Sequence, residues 1–209
     1  MKFAGKYLWI AAIAATITFG INCTKEETLS SGSTGTTQTY SQSRNGIDGH
    51  AERMALAGMN SEQQRQIFNT KSSAEKAAIW MDKLNTTLLT GNLSQNQKNI
   101  LISLRDQIND DLWVENSAST ISFQINFHPN WVALALQYFD EQTLANIVNT
   151  PDDYLTPGPY ASPNSGDCEC NTTSDWCPIN MYCKTSSCNQ FVFGCGSMWI
   201  YRCRGNCDF

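Results

Sequence analysis

The chain has 209 residues, 41% hydrophobic and 16% charged, with a formal net charge of −5. That apolar share suffices for a folded core, and no positive excess exists to draw the chain onto nucleic acid. The cysteines stand out: eight of nine lie in the last 42 residues, and the ninth is Cys23.

Lys2 and Lys6 precede an apolar run from Tyr7 to Phe19, which has the length and flanks of a secretory signal peptide. A spanning helix needs about 20 apolar residues, and Gly20 and Asn22 interrupt this run. Phe19-Gly20-Ile21-Asn22-Cys23 resembles a loose bacterial lipobox, with 1–22 as signal peptide and Cys23 as lipidated N-terminus. Ordinary Sec cleavage nearby is the alternative. Thr24-Lys25-Glu26-Glu27 resembles the short acidic signal that sorts some lipoproteins outward. The expected location is therefore an exported lipoprotein of the outer membrane or cell surface. Several acyl chains on one cysteine hold a membrane firmly, at about 0.8 kcal/mol per methylene. Residues 23–49 carry Ser, Thr, Gly and Gln with little to bury and read as a flexible tether.

From His50 to Val148 the periodicity is helical. Ser72 with Glu75 predicts a capping box before Ala77, Trp80, Leu84 and Leu88. Ser94 with Gln97 predicts a second, before Leu101, Leu104 and Ile108. After Pro129, the residues Trp131, Leu134, Ala135 and Tyr138 share a stripe, and Asp140 can cap a short helix carrying Leu144 and Ile147. The exception is Thr120–Phe127, where Ile121, Phe123, Ile125 and Phe127 alternate with polar residues. That period of two predicts either a strand paired with the tail or a helix that imitates one. The expectation for 50–148 is a small helical domain whose aromatic stripes are core. His50 and His128 are isolated, and no metal pair, phosphate loop or nucleophile elbow occurs. Adjacent carboxylates such as Asp110-Asp111 and Asp152-Asp153 read as solvated surface. The chain is therefore expected to act without enzymatic chemistry, cofactor or metal.

Residues 149–167 hold four of the six prolines, Pro151, Pro157, Pro159 and Pro163. They predict an extended linker, either a stiff hinge or a site of proteolytic release.

The tail reads Cys168-x-Cys170-x6-Cys177-x5-Cys183-x4-Cys188-x6-Cys195-x7-Cys203-x3-Cys207. Structural zinc favours Cys-x2–4-Cys knuckles and reducing compartments. Here histidine is absent and an export signal present, so all eight cysteines are expected in disulfides. Eight cysteines allow 105 pairings, and spacing selects none of them. A segment of 42 residues buries too little to fold alone. Phe191-Val192-Phe193, Gly194-Cys195-Gly196 and Met198–Tyr201 predict a β-hairpin. Trp176, Tyr182, Phe191, Phe193, Trp199 and Tyr201 are candidates for a recognition surface, or else a cover over the disulfides. Lys184, Arg202 and Arg204 balance Glu169, Asp175 and Asp208 in this module. A neutral module speaks against cationic membrane lysis and for a specific target.

Cys168-x-Cys170, Thr172-x-Ser174-Asp175-Trp176-Cys177-Pro178-Ile179, Tyr182-Cys183 and Gly194-Cys195-Gly196-x-x-Trp199-x-Tyr201-x-Cys203 together resemble the fulvocin C-related bacteriocins. Less closely, Trp80-x-x-Lys83-Leu84 and Leu93-Ser94-x-x-Gln97-Lys98 resemble the region before the tail in larger exported relatives. The resemblance implies four disulfides and action on competing bacteria through an unidentified target. A non-toxic adhesin using the same tail is the alternative. The closing Cys203-x3-Cys207 is wider than the family's Cys-x-Cys, and the Cys183–Cys188 loop is one residue shorter.

Overall fold

Helix starts in the N-terminal half follow the capping chemistry of the sequence. In the computed structural model, which describes residues 46–152, 166–177 and 180–208, Asp48 accepts from the His50 and Ala51 amides and opens α1 (Gly49–Met54). Asn60 with Gln63 opens α2 (Ser61–Thr70), Ser72 with Glu75 opens α3 (Ser73–Thr90), and Ser94 with Gln97 opens α4 (Gln95–Arg105). Each pair is a reciprocal box that satisfies two amides a first helical turn leaves bare. Asp140 caps α7 (Glu141–Val148) through the Thr143 amide. Asp48 and Gly49, at the end of the expected tether, cap and open α1. The signal peptide, Cys23 and most of the tether lie outside the described residues, as do 153–165 of the linker. Among the described residues no helix is long and apolar enough to cross a membrane.

Thr120–Phe127 is helical, not a strand. α5 (Ala118–Ser122) runs into a π-helical turn (Phe123–Phe127) and then into α6 (His128–Ala135). The alternation splits into two pairs four residues apart. Phe123 is buried and Phe127 packs on the core, while Ile121 and Ile125 face solvent. Pro129, in the first turn of α6, has no amide to give, and the His128 amide reaches five residues back to the Phe123 carbonyl. A wider turn is a usual way to absorb such a break. The α6 stripe is narrower than expected: Trp131 and Ala135 are buried, but Leu134 and Tyr138 are exposed.

In the tail, β1 (Tyr182–Thr185) pairs antiparallel with β2 (Gly205–Asp208), setting Cys183 opposite Cys207. The hairpin expected over 191–201 does not form as two strands. Cys195 and Tyr201 make a single antiparallel bridge, and Ser197–Trp199 curl into a 3-10 turn between them. The reason is local: Met198 and Trp199 have φ of 52° and 53°, which no strand tolerates.

Helices and tail share one core. Leu56, Phe68, Trp80, Leu84, Leu101, Leu104, Leu144 and Ile147 form one cluster with Phe193, Met198, Trp199, Ile200 and Tyr201. The described residues of both regions fall within one compact unit.

Candidate functional site

The site is a cystine-closed loop held by helices. Cys168 bonds Cys188, Cys170 bonds Cys183, Cys177 bonds Cys207 and Cys195 bonds Cys203. The sulfurs gather in two clusters. Cys168, Cys188, Cys195 and Cys203 meet beneath Phe191, and Cys170, Cys177, Cys183 and Cys207 meet beside Met181. Disulfides stand in for the apolar interior that so short a segment lacks, at about 2–4 kcal/mol each.

The Cys195–Cys203 bridge closes the loop that carries Ser197 to Tyr201. Met198 and Trp199 sit in the left-handed region, which costs about 1–3 kcal/mol for each non-glycine residue. The helices offset that strain. Trp199 inserts edge-on against Phe68 at 5.1 Å and Trp80 at 6.2 Å between centroids. Its indole N–H donates to the Asn149 carbonyl at 2.9 Å, and the Trp113 indole donates to the Met198 carbonyl at 3.1 Å. Gly196 (φ 68°) permits the turn, since a Cβ there would meet Tyr201 Cδ2 at 2.5 Å and Ser174 Cβ at 2.7 Å.

Much of the remaining contact reads the loop's main chain. Asn69 donates to the Phe193 carbonyl at 2.7 Å and accepts from the Phe193 amide at 3.2 Å. Arg65 Nε donates to the Gly194 carbonyl at 3.1 Å, and Gln124 donates to the Ile200 carbonyl at 2.9 Å. The Lys76 ammonium lies over both Phe68 and Phe193, and burial pushes its pKa down. At the rim, Arg202 pairs with Glu115.

His128 ties the loop's two polar side chains together. Its Nε2 lies 2.7 Å from Ser197 Oγ and its Nδ1 2.8 Å from the Tyr201 hydroxyl. The Trp176 indole donates to the same Ser197 oxygen at 2.9 Å. A neutral imidazole has one donor and one acceptor, which two hydroxyls satisfy. Burial holds its pKa down to about 4, and burial also pushes the Tyr201 phenol well up. Both groups are thus uncharged near neutral pH. Ser197 is 0% and His128 4% exposed, so this serine–histidine contact is closed to solvent in the intact chain.

The expected recognition surface is mostly covered in the intact chain. Of its six aromatics, Trp176, Phe193, Trp199 and Tyr201 are buried, and only Tyr182 is exposed. Phe191 covers a cystine cluster. The expectation counted only the module's own apolar area; the helices supply the rest. Conversely Arg65, Asn69, Trp113, Gln124 and His128 were not singled out from sequence. Main-chain recognition by a lone side chain leaves no spacing motif, and an isolated histidine carries no signal.

Geometrically this is a cystine-stapled peptide carried in a helical cradle. No family model and no solved structure matches the chain. Bacteriocin fulvocin-C of Myxococcus fulvus is 45% identical over 42 residues, which are 19% of this chain and 93% of the relative. The match covers the C-terminal cysteine-rich region. The chain belongs to the bacteriocin fulvocin-C family through that module. Disulfide richness and this homology point to an exported protein.

Proposed function

We propose that the chain is a surface-anchored, bacteriocin-like protein whose module acts on competing bacteria, on contact or after cleavage near residues 150–167. Cys23 would carry the lipid that tethers it to the membrane, and its action would be binding to an unidentified target rather than catalysis. The observation that carries this reading is the match to a bacteriocin over nearly that relative's whole length. The buried loop supports release: Trp176, Trp199 and Tyr201 are covered in the intact chain, so they reach a target only once the module leaves the helices.

The test places a protease site within 153–165 of the full chain, cuts the oxidised protein, and isolates the module by reversed-phase chromatography. Growth of related bacteria should be inhibited by the oxidised module, not by the intact chain, and not after reduction. Inactivity of the module across a broad panel would overturn the reading.

A second reading, a non-toxic adhesin, has one observation in its favour. A cleft of about 670 Å³ stays open between the π-helical turn and the module, lined by Gln124, Asn171, Gln190 and Arg204 among others. Binding of the intact chain to cells without killing would support it.

A further inference from the structure

We propose that residues 46–152 are a receptor for the oxidised loop of an eight-cysteine module, able to capture that module in trans after the chain is cut. The ligand class is a disulfide-closed peptide presenting the turn Phe193–Tyr201. Two independent observations carry this. First, all four bridges lie between Cys168 and Cys207, and the described helices contain no cysteine. A cut within 153–165 therefore leaves the halves joined by non-covalent contacts alone.

Second, the helical side is built as a binding site. Arg65 and Asn69 on α2, Trp113 after α4 and Gln124 in the π-helical turn hold the main chain of Phe193, Gly194, Met198 and Ile200. The slot between Phe68 and Trp80 takes one indole edge-on. Main-chain recognition selects a loop shape, and the Cys195–Cys203 bridge holds that shape. Modules that differ in side chains but keep this closed turn and its tryptophan are ligands as well. Reduction removes the shape and hence the binding.

The role that follows is neutralisation: a cell displaying the helices recaptures released module before it acts. That role rests on the effector reading above, whereas the binding does not. Binding is therefore measured without any toxicity readout.

The full oxidised chain is cut within 153–165, the pieces are parted in urea without reductant, and unlabelled helices are diluted back with isotopically labelled module. Native mass spectrometry should show a one-to-one complex carrying the label, and reduced, alkylated module should bind at least tenfold more weakly. Asn69→Ala with Trp113→Phe should weaken recombination at least tenfold. Near-UV dichroism of the uncut variant checks that the pieces start from a folded chain. Trp113→Phe alone keeps the ring while removing the donor, and serves if the double variant fails that check. Pieces that separate on cutting and do not recombine overturn the proposal, as does equal binding of reduced module. A bound but harmless module would sink the effector reading and leave the receptor intact.

Discussion

His128 shows how one side chain couples packing to pH. Its folded pKa of about 4 lies below the ordinary value near 6.5, so the unfolded chain takes up a proton first as pH falls. Stability should be fully present above about pH 6.5 and should drop by about 3 kcal/mol on approach to pH 4. Urea midpoints at pH 7, 5.5 and 4.5 measure the slope. His128→Gln should flatten it while lowering stability at pH 7, because the hydroxyls of Ser197 and Tyr201 lose a matched partner. A slope unchanged by His128→Gln would remove the histidine from the account. Gly196→Ala tests the neighbouring turn: a Cβ against Tyr201 and Ser174 at positive φ should cost about 2–4 kcal/mol by denaturant titration.

At the scale of elements, caps and plugs differ in weight. Ser94→Ala removes one side of the α4 capping box and should cost about 1 kcal/mol. Trp199→Ala empties the slot between Phe68 and Trp80 and should cost about 3–5 kcal/mol, read as a lower thermal midpoint of the whole chain. Similar losses from both would mean that the loop is peripheral to the core. The capping boxes at Ser72 and Ser94 and the Asp140 cap were legible because capping is local chemistry. The helix over 120–127 was legible only as one of two alternatives, because alternation every second residue also places Phe123 and Phe127 four apart. The turn at 197–199 was not legible: strand-favouring residues surround it, and only a tertiary partner makes positive φ at Met198 and Trp199 tolerable.

For the whole molecule, covalent staples and the shared core act together. Four bridges contribute on the order of 10 kcal/mol, comparable with the total stability of an ordinary domain. Reduction should therefore abolish the fixed tryptophan environment, seen as a red-shifted emission and lost near-UV dichroism. Unchanged spectra in the reduced protein would show that the helices alone define the structure. From composition, the tail reads as a separate knot beyond a proline-rich hinge, and its four disulfides were legible from cysteine count and compartment. That its aromatics serve the helices was not, since burial depends on surfaces a hundred residues away.

The insertion of Trp199 at the centre has a consequence for biosynthesis. A polypeptide delivered N-terminus first presents its helices with a vacancy between Phe68 and Trp80 until Trp199 arrives. Truncation upstream of the module would thus leave that apolar slot bare, open to a tryptophan supplied by another chain.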